Sequence, residues 1–456
     1  MGVHRTNSRN LRGIAQVNSW QKMPVLWLCD CRAPPMTPSL AREACFRSPK
    51  TAVVMQDIFV FKPYKFVAPV RTRFFSRLSR MLKMHRHLNW RLEGVKGHEV
   101  RNAFHLQESL NRGHSIILAP NHSRTADPIA LGFLGEELNL DMYAMASWHL
   151  FNVSAVMRWF IRAVGAFSVN REGLDRKAID TAIQILVDAD RPLVIFPEGS
   201  TSRTNDWLMP FLDGIGFIAR AAARQRHKRD EGKVVVHPMA FKYVYQGDIR
   251  KDAEPVLREL ESQLTWYPER ESDLLTRIER IALAQLTLKE MEYLGEAQTG
   301  DLQQRLRRLI DQCLRPLEEK WLGAVQEGNS SARIKNIRSK VIPKLIEEGP
   351  QSPNKQQYLA DVHDTYIAHQ MASHPIPYLQ QHPTADRIRE AVERLEEDAT
   401  DSARLYKPLK CIIEVAPAIE VPTTRDRKGD AGDPLMQEIR ESLQQTLDRL
   451  SDESPA

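Results

Sequence analysis

Apolar and polar positions along the middle of the chain fall into short apolar runs separated by longer stretches of helical spacing. Ile116-Ile117-Leu118-Ala119-Pro120 reads as a buried strand. Residues 141–145, 166–169, 193–196 and 234–236 read as further strands, and 148–164, 174–187 and 215–226 as helices. Strands alternating with helices of this length predict an α/β fold, a mostly parallel sheet covered by helices. Beyond about residue 247 the pattern becomes helical throughout. Leu302, Leu306, Leu309, Ile310, Cys313, Leu317 and Trp321 keep one face, as do Ile388, Val392 and Leu395. Breaks rich in Gly, Pro and Asn at 328–331 and 349–354 separate these helices. Residues 410–419 then read as a strand and turn. Leu435, Met436, Ile439, Leu443, Leu447 and Leu450 mark an amphipathic closing helix after a polar linker at 423–432.

The amino end differs. Residues 1–54, frequent in Arg, Asn, Ser and Pro and without a period, read as a disordered leader. Ordered-looking sequence begins at Met55, which is a candidate translation start. From Lys62 to Arg91 nine basic residues meet no acid, while Phe74, Leu78, Met81, Leu82, Leu88 and Leu92 recur at helical spacing. A basic amphipathic helix of this kind can lie on an anionic membrane surface, pack on its own domain, or face nucleic acid. The large apolar residues favour the first two, so no nucleic-acid partner is expected.

Composition narrows the class further. At 456 residues there is room for two or three domains, or for one with a large insertion. No stretch approaches the ~20 apolar residues needed to span a bilayer. The five cysteines, Cys29, Cys31, Cys45, Cys313 and Cys411, are too scattered for a disulfide framework, which suits a reducing, cytoplasmic setting. Cys29-x-Cys31 with Cys45 has no partner at a zinc spacing. His363, His369, His374 and His382, near Asp361 and Asp364, miss the His-x3-His spacing, so no metal site is expected.

Candidate chemistry gathers in loops at strand ends, where open α/β sheets build their sites. The first is Asn121-His122-Ser123-Arg124-Thr125-Ala126-Asp127, with Asp127 placed to cap a helix that Pro128 opens. A carboxylate there can hold one nitrogen of His122 and leave the other free to take a proton. Gly165-Ala166-Phe167-Ser168-Val169-Asn170-Arg171, Phe196-Pro197-Glu198-Gly199-Ser200-Thr201-Ser202-Arg203 and Val236-His237-Pro238 follow, the last as a strand end. Singly, each is an ordinary turn.

In this order the four loops resemble the blocks of the glycerolipid acyltransferase family typified by 1-acylglycerol-3-phosphate acyltransferases, with its His-x4-Asp motif. The resemblance covers about a quarter of the chain. It implies acyl transfer from acyl-CoA or acyl carrier protein to a lysolipid hydroxyl at a membrane surface, in phospholipid biosynthesis, without metal or redox cofactor. It makes His122 the general base and Asp127 its partner, sets Arg171 at the acceptor phosphate, and has Glu198 and Gly199 shape the acceptor site. Backbone N–H groups near Gly199 or in the first loop would meet the oxyanion. Thr201 stands where the family carries a phosphate-binding Arg, with Arg203 or Arg124 as compensating cations; Asn170 replaces a usual Asp. These departures open two other readings: an acceptor lipid without phosphate, and a catalytically silent, membrane-associated scaffold. In the family a late sheet strand follows the fourth block closely. The expected organisation is therefore a leader at 1–54, an α/β core at 55–246, an all-helical insertion at 247–405, and the last strand, linker and closing helix at 406–456.

Overall fold

The computed structural model describes residues 53–54, 60–264, 272–400, 402–424 and 433–454. The chain runs β1 (Val53–Val54), α1 (Phe74–Met81), α2 (Met84–Glu93), β2 (Val95–Arg101), α3 (Ala103–Asn111), β3 (Ser115–Pro120), α4 (Asp127–Glu137) and β4 (Tyr143–Ser147). A 3-10 turn at Trp148–Asn152 leads to α5 (Ala155–Ala163), β5 (Ala166–Val169), α6 (Arg176–Asp188), β6 (Leu193–Val194), α7 (Gly214–Lys228) and β7 (Val234–Tyr245). Seven helices follow: α8 (Ile249–Leu264), α9 (Leu274–Leu294), α10 (Leu302–Leu322), α11 (Ser330–Glu348), α12 (Lys355–Ala372), α13 (Pro375–Gln381) and α14 (Ala385–Thr400). β8 (Ser402–Ala403), β9 (Leu409–Val415), β10 (Ile419–Glu420) and α15 (Pro434–Asp452) close the chain.

Eight strands form one sheet in the order β2-β9-β7-β3-β6-β4-β5, with β10 also on β7. β3 lies parallel to β7 and β6, and β4 parallel to β6 and β5. β9 runs antiparallel to β7, with Met239 opposite Val415 and Tyr245 opposite Leu409. After seven helices the chain thus returns to fill a place between β2 and β7. The fold is α/β, with a mostly parallel sheet and the helical region inserted before β9.

One sheet face packs under α4, α8, α9 and α14 around Leu118, Phe241, Leu257 and Val392. The other packs under α6, α7 and α15 around Phe167, Ile185, Ile218 and Ile439. A separate core joins α10, α11 and α12 through Leu309, Ile337 and Val362. The helical region is therefore in two parts: its first and last helices belong to the sheet's core, and its middle has a core of its own.

Several elements differ from expectation. β7 is twelve residues long, not three, and Pro238 lies inside it. A proline lacks the N–H that a ladder needs. Here it falls where the antiparallel partner changes, since β10 covers Val235 and Val236 while β9 begins opposite Met239. The stretch expected as one helix at 148–164 is broken by Ser154, whose side chain caps α5. The basic amphipathic segment is two helices, because Lys83 between them takes a left-handed conformation. Val53–Val54, placed in the leader, pairs with Ser402–Ala403. Residues 1–52, with Cys29, Cys31 and Cys45, lie outside the described residues, as does most of the linker at 423–432.

Candidate active site

β3 delivers the first loop to the carboxyl end of the sheet. Immediately past Pro120, the buried Asn121 side chain replaces backbone in the ladder. Its amide donates to Phe241 O at 3.0 Å and its Oδ1 accepts from Phe241 N at 2.6 Å. Asn205 repeats the device two residues along β7, accepting from Tyr243 N and donating to Tyr243 O. Both loops are thereby fixed to one strand.

His122 follows. Its Nδ1 donates to Asp127 Oδ2 at 2.9 Å, and its ring lies 4.2 Å from that of Phe196. Asp127 is fully buried, and Oδ2 also accepts from the Arg124 amide while Oδ1 accepts from the Tyr243 hydroxyl at 2.6 Å. It does not cap α4: Ala126 holds the cap position, and the carboxylate's polar contacts are to the loop and to Tyr243 of β7. An ionised acceptor at Nδ1 makes that nitrogen the N–H, so Nε2 carries the lone pair. His122 lines a cavity of about 1500 Å³.

Glu198 lines the cavity and also braces the loops around it. Its two oxygens accept from His122 N at 2.7 Å and Met209 N at 2.8 Å. Burial pushes its pKa up to about 7, against the pull of those two N–H groups. Gly199 next to it has φ +69°, and a Cβ there would stand 2.5 Å from Leu212 Cδ1. Gly165 is held likewise, at φ +106° with a Cβ position 2.5 Å from Met142 O. The Gly199 amide donates to Phe196 O, so with His122 N and Arg124 N already engaged, none of these three is a spare oxyanion donor.

The buried Glu198 gives a pH prediction. A carboxyl whose folded pKa lies above its ordinary 4.5 binds its proton more tightly when folded. The stability it contributes is present below that value and lost as pH rises through about 7. A displacement of that size corresponds to about 3 kcal/mol at most. Glu198→Gln should flatten that share of the fall in melting temperature between pH 5 and pH 8. Parallel profiles for wild type and variant would contradict it.

The arginines are placed unequally. Arg171 lines the cavity, and among the described residues no carboxylate pairs with its guanidinium. Burial draws its pKa down to about 10, Glu172 opposing and Arg338 adding to the effect. Arg203 lines the cavity with its side chain on Glu397. Arg124 does not compensate for Thr201. Its Nε sits 2.6 Å from Glu93 and its terminal nitrogens 3.3 Å from Glu393, over the Tyr243 ring. Although burial opposes the charge, the two carboxylates hold its pKa well above the ordinary value. It ties α2 to α14 behind the site.

The cavity has two kinds of wall. Near α2, α5 and β4 it is apolar, with Leu88, Met142, Met145, Phe160 and Ile161. At the other end it is roofed by the helical region, through Arg338 and Lys335 of α11, Tyr366 and His369 of α12, and Arg394 of α14. Of these only His369 was singled out in the sequence, as part of a histidine cluster rather than of this site; Tyr243 behind Asp127 was not. Tyr243 is the end of a chain-distant hydrogen bond with no local signature. The roof's arginines were visible only as ordinary charges on helices. Among the described residues no group of three or more His, Cys, Asp or Glu could hold a metal. Asp361 instead accepts from Lys320 and Trp321, and Asp364 from Tyr293.

The site is thus a His–Asp pair at a strand's carboxyl end, facing a cavity with an apolar and a cationic end. Residues 101–242 match the family model Acyltransferase, in keeping with the resemblance of this part of the chain to the glycerolipid acyltransferases. Among curated proteins the chain is similar to the 1-acyl-sn-glycerol-3-phosphate acyltransferase of Streptococcus pneumoniae (strain ATCC BAA-255 / R6). The two are 33% identical over 112 residues, which is 25% of this chain and 39% of that enzyme. The match thus spans well under half of the relative's length.

Proposed function

We propose that the protein is a membrane-peripheral O-acyltransferase of phospholipid biosynthesis. It moves a fatty acyl group from acyl-CoA or acyl carrier protein to a lysophospholipid hydroxyl, with 1-acylglycerol 3-phosphate the leading acceptor. The observation that carries this reading is the His122 ring, held at Nδ1 by Asp127 and lining a cavity large enough for an acyl chain. In the reaction the acceptor hydroxyl oxygen attacks the thioester carbonyl carbon while His122 Nε2 takes its proton. The tetrahedral adduct collapses with loss of the thiolate, which recovers that proton. Ester and free thiol leave, and no cofactor is consumed. The test is purified protein with acyl-CoA or acyl carrier protein and a panel of lysolipids. Failure of every lysolipid to accept an acyl group would favour the silent scaffold.

A second reading, an acceptor lipid without phosphate, draws support from Thr201 and from the engagement of Arg124 and Arg203 by carboxylates. Equal kcat/KM for a monoacylglycerol and its 3-phosphate would decide for it.

Membrane contact is supported by one surface. Phe74, Met81 and Leu82 of the α1 region and Val156 and Trp159 of α5 are exposed, the last beside Phe75 with ring centroids 4.8 Å apart. The opposite sides of these helices line the apolar end of the cavity through Ser76, Phe160 and Ile161. Among the described residues no helix is long and apolar enough to cross a membrane. A shallow seat in the headgroup layer would put lipid beside the cavity mouth. Trp159→Glu with Met81→Glu should lower partitioning onto vesicles of anionic phospholipid about tenfold or more. Unchanged co-sedimentation would remove the membrane from the proposal.

A further inference from the structure

The helical region after β7 has no role in the reaction as derived so far, yet it closes one end of the cavity. Resting on the acyl-transfer reading above, we infer that α11 and α14 complete the acceptor site, with Arg338 and Arg394 joining Arg171 and Arg203 to hold a phosphate monoester headgroup. They supply from the helical region the positive charge that Thr201 leaves out of the Glu198-Gly199 loop.

Four guanidinium groups converge at the roof. Arg171 and Arg203 come from the second and third loops, Arg338 from α11 and Arg394 from α14, and all four line the one cavity. Three carboxylates oppose them: Glu172 pairs with Arg338 at 2.9 Å, Asp398 with Arg394 at 3.2 Å, and Glu397 with Arg203. Arg171 is left over, and Lys335 adds a further cation on the same wall. The excess charge on this wall is positive, and Arg394 within it is buried.

Two further observations point to a missing anion. Arg394 is buried, and its Nη2 has no hydrogen-bond partner. A buried unpaired donor on a charged group is costly, and a phosphate oxygen is a fitting acceptor for it. At the centre of the cluster stands His369, whose pKa is driven down to about 4 by burial and then by Arg394, Arg338, Arg203 and Arg171. Burial first, and the cationic field second, disfavour the charged imidazolium. A phosphate monoester carries close to two negative charges and three terminal oxygens, which suits several planar guanidiniums better than one. With the headgroup there, the acyl chain of the acceptor has the apolar walls toward α5 and β4 to occupy.

The same chemistry could come from the phosphates of acyl-CoA or from free phosphate, and equilibrium binding separates the sources. Full-length protein is titrated calorimetrically with 1-hexanoylglycerol 3-phosphate, 1-hexanoylglycerol, inorganic phosphate and an acyl-CoA. Arg338→Gln and Arg394→Gln should each raise Kd for the phosphate ester at least tenfold, leave 1-hexanoylglycerol and acyl-CoA within twofold, and be partly rescued by Arg338→Lys. Should Arg394→Gln fail to fold, the partly exposed Arg338 carries the test alone. The inference is overturned if wild type does not bind the ester, if the variants bind it as wild type does, if the loss falls on acyl-CoA, or if inorganic phosphate binds as tightly as the ester. Tight, arginine-dependent binding of the ester without any acyl transfer would sink the proposed reaction and leave this site standing.

Discussion

His122→Ala is expected to lower kcat for acyl transfer by about 10²–10⁴-fold while leaving the melting temperature nearly unchanged. On the proposed mechanism the rate falls because Nε2 takes the acceptor's proton. The fold survives because the imidazole contributes one side-chain hydrogen bond and a ring contact with Phe196, whereas its backbone N–H, which Glu198 holds, remains. Asp127→Asn should be nearly as damaging to rate and worse for stability. The amide would turn a donor toward an environment that already offers the Arg124 N–H, the Tyr243 hydroxyl and the His122 N–H. Tyr243→Phe tests the second tier. It removes a hydrogen bond to a buried charge, about 1.5–3 kcal/mol of stability. Tyr243 is a positioning residue, so its loss should shift the pH profile of kcat/KM more than the KM for the acceptor. Steady-state kinetics beside thermal melts measure all three. An active His122→Ala enzyme would end the general-base mechanism.

What the sequence disclosed of this site follows from chain locality. His122 and Asp127 share one loop, as do Glu198 and Gly199, and short-range spacing is what a sequence displays. The strands that carry the loops showed themselves by apolar runs, and β9 by its place after the helices. The missed parts are those whose partner is far away. Tyr243 reaches Asp127 across 116 positions, and Arg124 is taken up by Glu393 across 269. Nothing near Arg124 announces that its charge is spent, so a free cation was a fair expectation. β2 went unread because Val-Lys-Gly-His-Glu-Val-Arg is a partly exposed edge strand with no clean alternation. The length of β7 was hidden for a different reason. Lys242 interrupts the apolar pattern of 239–245, yet it is wholly buried because two aspartates await it.

That lysine supports the last and largest stability effect. Lys242→Met should cost about 3–5 kcal/mol, since breaking one side of a buried ion cluster leaves charge without compensation. Lys242 Nζ lies 2.6 Å from Asp206 and 3.6 Å from Asp386, and all three side chains are fully buried. Arg387 reaches Asp206 at 3.2 Å, and the Tyr378 and Ser451 hydroxyls complete its shell. Asp386 accepts from Tyr245 N at 2.6 Å. The cluster therefore binds β7, the loop after Gly199, α13, α14 and α15 at one point. With Lys242 gone, Asp206 keeps Arg387 while Asp386 loses its cation, and the α14 contact that holds Arg394 over the cavity loosens with it. Denaturant unfolding should show the loss directly, and acceptor KM should rise in the same variant although Lys242 touches no substrate. Replacing the whole pair, Lys242→Met with Asp206→Leu, should recover part of the stability, because desolvated charge is then removed rather than stranded. A Lys242→Met protein as stable as wild type would show that the helical region is held to the sheet by its apolar contacts alone.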